Sequence, residues 1–590
     1  FIVSAILAFF YLRPLNSPWH KFIAGDGLGY YSYLPARFIH NDKNYDFKWF
    51  NRVYNANYIY SAFENPEQNI LVEYEGRKIN KFYQGLSYIW FPFFLAAHVF
   101  VKIFHYPPDG FSQPYQLAVG LASLVYLIIG LIFLRKLILK LFDNQFAAFL
   151  VPVSIFYGTH LFTYSIKGNC LSHAYSFTFL TLFIYYLHSF FNDEDKKLQN
   201  ILLCLLFFVI TGCIRPLNGL AILIVPAFVP AGFFKEKFKW EKLKANHLII
   251  LALVIGAVFN QLAITYLQTG SVFSYTYSGE KFYFNRSRFF DALFSYYLGL
   301  FVYVPVTFVS MCGLSYLPMR KRVFLLFFFL LVVFLYSSWW YWPILKRALI
   351  DVYVVPAIFL GALAAVCRTI KQKAVFSFVM LLSIAYYQLK NMQMSGGILD
   401  EYTTHKELFW RNFFRLDKAN IYPIPPSIIT KQSSITEDFE NAVLKLNVTD
   451  EKKYSGNKSV LLDSKNFITN VAECNYPEIF KAKENKKIRF SFYCYADKGV
   501  NSIHAFLQFF DKQHKALLEI PFYMNSEFIF PEKWDYKEFG YELAPEDVKN
   551  ADKVDKIMFT VWNVEAKKKL YVDDVKVEFI LTDRSMEITK

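Results

Sequence analysis

Long apolar runs recur through the first two thirds of this 590-residue chain, and they constrain its fold more than any other feature. A helix needs about 20 apolar residues to cross the hydrocarbon core of a bilayer. Because 55% of the residues are hydrophobic and only 19% are charged, the composition excludes a disordered chain and an ordinary cytosolic enzyme. We interpret about eleven runs as membrane spans, at residues 1–12, 115–137, 146–164, 174–191, 201–214, 217–234, 248–267, 295–317, 323–339, 352–366 and 374–389. The prediction is a polytopic α-helical membrane protein.

The basic residues predict how these helices are oriented. The formal net charge is +15 at pH 7, and the lysines and arginines gather between alternate apolar runs. Cytoplasmic loops of membrane proteins are rich in Lys and Arg, so we place these segments in the cytoplasm. They lie at residues 135–140, 196–197, 235–244, 320–322 and 368–373. The alternate loops and everything after residue 389 then face outward. No basic stripe with a nucleic-acid motif is present, which argues against nucleic acid as a partner.

One further run, residues 86–104, is apolar enough to span but conflicts with this orientation. If it crossed the membrane alone, every later basic segment would lie outside. We therefore interpret it as an interfacial or re-entrant helix on the outer side. The alternative is a true span, with another run wrongly assigned.

The composition changes near residue 392, which ends a predicted membrane domain at residues 1–391. Glycines and prolines mark a linker over residues 392–429. Alternating apolar segments separated by turn residues then predict an extracytoplasmic antiparallel β-sandwich, similar to a jelly roll, over residues 430–590. The segments are 487–495, 503–510, 516–523, 556–562 and 570–579. Cys474 and Cys494 both lie in this tail, and the sequence leaves open whether they form a disulfide.

Unusual polar residues collect in the loops predicted to face outward, beginning with the large first loop at residues 13–85. Asp26 lies between Gly25 and Gly27, and flanking glycines let the backbone turn tightly and bring a carboxylate close to a ligand. Lys81 lies near the end of the same loop, where a lysine can bind phosphate as a point charge. Each residue also has a structural alternative, Asp26 as a turn former and Lys81 as an interfacial lysine.

Further candidate residues lie near the ends of the later spans. Arg215 interrupts a long apolar stretch, where an arginine is costly unless it is paired or faces water. Arg347 and Asp351 are four residues apart, which predicts either a helical ion pair or a phosphate-binding arginine oriented by the carboxylate. Glu280 is a candidate second acid or metal ligand. The remaining candidates are His160 and His173, each with a structural alternative as an interface residue, and Arg286 and Arg288.

Together these features resemble the GT-C superfamily of membrane glycosyltransferases, which includes aminoarabinose transferases and protein O-mannosyltransferases. The shared features are an Asp in the first outer loop, an interfacial helix, about eleven spans and an outward C-terminal domain. Residues 1–391 also resemble a Bacteroidetes-type branch through the segments 25–35, 157–175, 215–218, 270–280, 298–305 and 339–351. The resemblance implies Asp26 as the general base or, as in some branches, a metal ligand, and Lys81 as a donor-phosphate ligand.

The same resemblance implies the substrate and the place of the reaction. It implies transfer of a sugar from a polyprenyl-phosphate-linked donor to a lipid, glycan or protein acceptor, at the periplasmic face of a bacterial inner membrane. The chain departs from the two-residue acidic motif of the mannosyltransferases, because glycines flank Asp26. The need for a divalent metal therefore stays open, and no other cofactor is implied. In the tail, segments 438–440, 455–459 and 570–575 resemble carbohydrate-binding jelly-roll modules; the alternative is a sandwich that binds nothing.

The expected chemistry is a direct displacement. Asp26 takes the acceptor proton during attack on the anomeric carbon, which the displacement inverts. Cations bind the departing lipid phosphate, with Lys81, Arg215 and Arg347 the main candidates. Two rival functions stay open. One is a transporter or flippase of lipid-linked glycan, which requires charged residues at mid-membrane. The other is a non-catalytic assembly protein with a glycan-binding tail.

Overall fold

The computed structural model describes residues 22–50, 53, 70–166, 170–193, 195–230, 233, 243–277, 280–340, 345–395, 398–399, 404, 406–416, 429–437, 439–440, 447–475, 485–500, 502–525, 532–542, 553–564 and 567–582. Up to residue 391 the described residues belong to one compact unit, and from residue 392 they belong to a second. The α-helices are α1 (Asp26–Tyr31), α2 (Tyr33–Phe38), α3 (Gly85–Ile103), α4 (Gln113–Phe142), α5 (Gln145–Tyr157), α6 (His160–Ile166), α7 (Ser172–Asn192), α8 (Lys197–Ile214), α9 (Ala245–Thr269), α10 (Phe289–Phe294), α11 (Leu300–Tyr303), α12 (Pro305–Met311), α13 (Met319–Ser337), α14 (Leu345–Ala348), α15 (Val354–Ala365), α16 (Ile370–Ser395) and α17 (Lys406–Arg411).

Several of these helices are long and apolar enough to cross a membrane, which suggests a membrane protein. Among the described residues five helices qualify by length and composition: α3, α4, α7, α8 and α9. Two bent pairs raise the number to seven if each counts as one span. The first pair is α5 with α6, bent by 64°, and the second joins residues 346–352 to α15 with a bend of 62°. The predicted count of eleven spans is therefore not confirmed, and the predicted span at residues 1–12 lies outside the described residues.

Two predicted spans have a different local structure. Residues 217–234 were expected to form one α-helix, but Pro216–Ala227 form a 3-10 helix with proline at its first position and near its end. Residues 295–317 are divided into α11, α12 and a 3-10 helix at Cys312–Tyr316. Proline begins α12 because it lacks the N–H that would continue the preceding helix. Hydropathy detects the apolar run but does not detect these breaks.

Residues 86–104 lie almost entirely in one unbroken helix, α3, despite Pro92 in its interior. A re-entrant segment turns back within the membrane and needs a break in the helix, which α3 does not have. The structure therefore does not support the re-entrant interpretation. The helix is long enough to span, and its interfacial placement stays a prediction.

The first loop is held against α3 by buried side chains. Tyr31 on α1 packs against a group of aromatic rings, Trp90, Phe94 and Phe111. The strands β1 (Leu71–Tyr74) and β2 (Arg77–Asn80) form an antiparallel hairpin before α3. The side-chain amide of Asn80 donates to the Gly29 carbonyl at 2.8 Å. This contact joins α1, which carries Asp26, to the end of β2, which leads into Lys81.

The second unit contains two antiparallel sheets that share one buried core. Its strands are β3 (Ile429–Glu437), β4 (Val448–Thr449), β5 (Ser459–Leu462), β6 (Ile468–Asn475), β7 (Asn485–Ala496), β8 (Ser502–Phe510), β9 (Ala516–Asn525), β10 (Trp534–Glu542), β11 (Lys556–Asn563) and β12 (Leu570–Thr582). One sheet has the order β10–β7–β12–β5–β4, with β3 also paired to β12, and the other has the order β6–β11–β8–β9. Phe490 and Phe559 meet between the sheets with ring centroids 5.3 Å apart. The predicted β-rich tail is therefore confirmed, and its Cys474 and Cys494 are free thiols.

Candidate active site

Asp26 is the first residue of α1, and the glycines beside it explain its placement. Gly25 has a φ of +54°, a left-handed conformation that glycine adopts without the steric cost of a side chain. A Cβ added to Gly27 would lie 2.4 Å from Cys170 Sγ, far inside contact distance. Glycine therefore lets α1 start with a sharp turn and pack directly on Cys170, two residues before α7.

The Asp26 carboxylate forms an ion pair with Arg347. Arg347 Nη2 lies 2.9 Å from Asp26 Oδ2, and the side chains are 24% and 35% exposed, respectively. The sequence suggested that Arg347 would pair with Asp351, but the structure pairs it with Asp26. The pair combines a carboxylate that can accept a proton with a guanidinium that can bind an oxyanion.

Asp351 pairs instead with His173 and Arg215. Its Oδ1 lies 2.7 Å from His173 Nδ1, and the two side chains are 0% and 1% exposed. Because a carboxylate only accepts, Nδ1 carries the hydrogen and donates it. Asp351 Oδ2 lies 3.4 Å from Arg215 Nε, an ion-pair distance without hydrogen-bond geometry. Arg215 also donates from Nη1 to Ser172 Oγ at 3.3 Å and lies over the Tyr336 ring.

Two tyrosines lie between these ion pairs. The Tyr30 hydroxyl donates to Ser172 Oγ at 3.4 Å, and the charges of Asp26 and Arg215 both act on it. Burial raises the pKa of Tyr30, although Arg215 opposes the shift. Burial also raises the pKa of Tyr277 well above its usual value, and Tyr30 adds to that shift. Both hydroxyls are therefore protonated at neutral pH and can donate hydrogen bonds.

A third ion pair joins Lys81 to Glu280. Lys81 Nζ lies 2.9 Å from Glu280 Oε1, and both side chains are largely buried. Trp340 Nε1 donates to Glu280 Oε2 at 3.0 Å, and Thr276 Oγ1 donates to the Lys81 carbonyl at 2.7 Å. Lys81 Nζ also lies 5.9 Å from the centroid of the Tyr277 ring, which connects this pair to the other two. We refer to the residues of the three ion-paired groups together as the charged cluster: Asp26, Lys81, His173, Arg215, Glu280, Arg347 and Asp351.

Three predicted site residues have other surroundings. His160 Nδ1 lies 3.1 Å from the Tyr353 hydroxyl, and its ring contacts the ring of Tyr387. Arg286 and Arg288 are exposed, and their backbone N–H groups donate to the carbonyls of Tyr283 and Ser337. Two residues that contact Arg215 were not among the predicted site residues: Ser172 and Tyr336. The signal for Ser172 was its place beside His173, whereas nothing distinguished Tyr336 from the other aromatics.

The charged cluster does not fit a metal centre. Among the described residues no group of three or more His, Cys, Asp or Glu side chains is placed to hold a metal ion. The carboxylates of the cluster are each paired with a cationic side chain instead: Asp26 with Arg347, Asp351 with Arg215 and Glu280 with Lys81.

Comparison with known proteins assigns no family. No family model and no curated protein matches the chain. Among solved structures, the CBM22-1 xylan-binding domain from Paenibacillus barcinonensis Xyn10C is similar at 11% identity, over 26% of this chain and 86% of that domain, with a TM-score of 0.16. A TM-score this low identifies neither a fold family nor a ligand.

Proposed function

We propose that the chain is a membrane glycosyltransferase. In this proposal it moves a sugar from a polyprenyl-phosphate-linked donor to a lipid, glycan or protein acceptor, at the periplasmic face of a bacterial inner membrane. The observation that supports it best is the partly exposed ion pair of Asp26 and Arg347, 2.9 Å apart. It places a proton acceptor beside a phosphate-binding group, which are the two groups that this reaction needs.

Asp26 is assigned the role of general base. Its Oδ2 contacts Arg347, and we assign Oδ1 to the proton of the acceptor hydroxyl or amine. As that proton moves to Asp26, the acceptor atom bonds to the anomeric carbon. The bond from that carbon to the lipid-phosphate oxygen breaks at the same time, and the phosphate leaves with the electron pair. This displacement inverts the anomeric centre, and a positioned base contributes about 10²–10⁴-fold to such a step.

The departing phosphate needs positive charge and hydrogen-bond donors. Arg347 and Arg215 present forked donors that match phosphate oxygens, and Lys81 adds a point charge. The hydroxyls of Tyr30 and Tyr277 lie among these charges. Donors fixed in place before the reaction stabilise developing charge without the cost of reorganisation.

The position of the charged cluster favours an enzyme over a transporter. Transporter sites lie near the middle of the membrane. His173 is the second residue of α7, and Arg215 directly follows the last residue of α8. Asp26 and Lys81 lie in the segments before α3. A cluster at helix ends suits a reaction at a membrane surface.

The test is sugar transfer by the full chain in lipid nanodiscs, with radiolabelled polyprenyl-phosphate sugars as donors. We expect Asp26→Asn to lower turnover by about 10²-fold or more while the protein stays folded. Asp193→Asn is the matched control, because it makes the same change in another partly exposed ion pair, with Lys140. Equal turnover in wild type and Asp26→Asn would remove Asp26 as the base and make Glu280 the next candidate. A product with a retained anomeric centre would refute direct displacement.

For the second unit we propose carbohydrate binding, on the basis of an aromatic patch. Tyr493 and Tyr495 alternate with buried residues along β7 and so lie on its outer face. Tyr454 stacks on Tyr493 with ring centroids 3.6 Å apart, and Trp534 lies 5.8 Å from Tyr495. Such aromatic faces offer flat apolar area for the faces of sugar rings. We expect Trp534→Ala to weaken retention of the full chain on insoluble cell-wall glycan, and Trp410→Ala, an exposed Trp outside the patch, to leave it unchanged.

A further inference from the structure

Two members of the charged cluster differ from the others in exposure. Asp351 and His173 are 0% and 1% exposed, whereas 35% of the Asp26 side chain is exposed. A buried carboxylate is costly unless other groups compensate its charge. A substrate that approaches the cluster from solvent can reach Asp26, but it cannot reach Asp351 or His173. Their role must therefore be exerted through a neighbour.

That neighbour is Arg215, which both residues contact. His173 donates from Nδ1 to Asp351, and Arg215 Nη1 lies 3.4 Å from Nδ1 and 3.3 Å from Nε2, so the guanidinium lies against the imidazole ring. Asp351 Oδ2 lies 3.4 Å from Arg215 Nε. The guanidinium is thus held by a carboxylate and an imidazole, and Ser172 Oγ accepts a further bond from Nη1. Arg215 itself is 17% exposed, which leaves part of it accessible.

The three residues come from three different elements. Asp351 lies in a 3-10 turn, Leu349–Val352, before α15. His173 lies in the first turn of α7, and Arg215 directly follows α8. Their contacts therefore fix the guanidinium relative to three elements at once. Without them, a long arginine side chain at a helix end samples many rotamers.

We propose that Asp351 and His173 are positioning residues, which hold the Arg215 guanidinium in the orientation that binds a phosphate ester. The proposal rests on the proposed function, because it assigns Arg215 to the donor phosphate. The ligand chemistry is a phosphate monoester or diester, presented either by a polyprenyl lipid or as free phosphate. The contrasting role is helix-end packing, in which Arg215 only balances the charge of Asp351.

Arg215→Lys separates these two roles. Lysine keeps the positive charge beside Asp351 but replaces the planar fork by a single flexible donor. If packing and charge balance were the whole role, Arg215→Lys would bind phosphate as the wild type does. If orientation of the fork matters, Arg215→Lys loses affinity and becomes insensitive to a second change at Asp351.

The experiment measures binding to the full chain in phosphatidylcholine nanodiscs. The probes are undecaprenyl phosphate in the nanodisc and, in a separate arm, inorganic phosphate in solution. The variants are Arg215→Lys, Asp351→Asn, their combination, and His173→Asn, each checked by thermal unfolding. His188→Asn is the matched control, because His188 lies buried on the same helix and hydrogen-bonds Asn192 rather than a carboxylate.

We expect Arg215→Lys and Asp351→Asn each to weaken binding about ten-fold, which corresponds to about 1.4 kcal/mol. The combined variant should bind no more weakly than either single variant, because residues that act through one contact are not additive. His188→Asn should bind as the wild type does. If Asp351→Asn does not fold, the same test of additivity is made with His173→Asn, Arg215→Lys and their combination. Binding of undecaprenyl phosphate alone identifies the lipid as the source, and binding of both probes identifies phosphate itself.

Three results would overturn the proposal: wild type with no affinity for either probe, full affinity in Asp351→Asn and His173→Asn, or additive losses in the combined variant. Sugar transfer is measured separately on the same preparations. Non-additive binding without any transfer leaves the positioning role intact and removes the glycosyltransferase. If Asp26→Asn loses sugar transfer and the binding losses are additive, the glycosyltransferase proposal stands and the positioning role is removed.

Discussion

A single methyl group on Gly27 should displace the helix that carries Asp26. Gly27 packs so closely on Cys170 that an added Cβ would lie 2.4 Å from Sγ and 2.6 Å from the backbone carbonyl oxygen. The thiol could rotate away, but the carbonyl oxygen belongs to the backbone before α7 and cannot. In Gly27→Ala, α1 must therefore move away from Cys170.

The distances give the size of the effect. Ordinary contacts to a Cβ begin at 3.4 Å, so relief of the 2.6 Å contact with the carbonyl oxygen requires a shift of roughly 0.8 Å. Overpacking of this kind costs about 1–3 kcal/mol of unfolding free energy. A displacement of about 1 Å in a positioned catalytic group lowers turnover by about 10²-fold. We therefore expect Gly27→Ala to lose more activity than its loss of stability explains.

Two further glycines serve as controls. A Cβ on Gly25 meets nothing within 4 Å, but its φ of +54° and ψ of −137° make Gly25→Ala strained, at about 1–3 kcal/mol. A Cβ on Gly212 in α8 also meets nothing within 4 Å, and alanine there should raise stability by up to about 1 kcal/mol. Thermal unfolding and sugar transfer in nanodiscs measure both effects. Wild-type stability and turnover in Gly27→Ala would show that α1 does not pack on Cys170.

Three further predictions concern titratable groups. Burial raises the pKa of the Cys474 and Cys494 thiols to about 12, so both should resist maleimide in the folded protein near about pH 8 and react after unfolding, as read by mass spectrometry. Burial lowers the pKa of His504 from 6.5 to about 4, so the folded state loses stability as the pH falls through this range. His504→Gln should reduce the drop in melting temperature between about pH 7 and about pH 4.5, and an unchanged drop would contradict the assignment. Glu280→Gln should lower stability by about 1–3 kcal/mol in thermal unfolding because it leaves Lys81 unpaired, and Lys81→Met in that background should recover part of the loss.

The strands of the tail were easier to predict than the candidate membrane spans of the first unit. Each predicted strand segment lies within an observed strand, because period-two alternation records the sidedness of a half-buried sheet. Strands such as β3 and β10 were missed, since polar residues follow one another in their sequences, as in Ile429–Glu437. For the spans, hydropathy averages over a window and cannot distinguish one helix from several short ones. The divided run at residues 295–317 illustrates this limit.

The sequence predicted the members of the charged cluster better than their contacts. Charged residues near apolar runs are costly and are therefore usually functional. This cost identified Asp26, Lys81, Arg215 and Asp351 as candidates. Their partners are far away in the sequence: Lys81 pairs with Glu280, and Asp26 pairs with Arg347. A single sequence contains no signal for pairs separated by about 200 to 320 positions, since they depend on how the helices pack.

The pairing of Arg347 shows why local spacing misled. In a continuous α-helix, residues four apart lie on one face, so Arg347 and Asp351 were expected to meet. The helix α14 ends at Ala348, and the chain continues as a 3-10 turn over Leu349–Val352. With about three residues per turn, positions four apart point in directions about 120° apart. Arg347 is thereby directed to Asp26 and Asp351 to His173 and Arg215. Because the helix type changes, the expected pair of Arg347 and Asp351 does not form, and each residue joins a different ion pair. The pair of Arg347 with Asp26 is partly exposed, as the proposed reaction requires. Asp351 is buried with His173, as the proposed positioning of Arg215 requires.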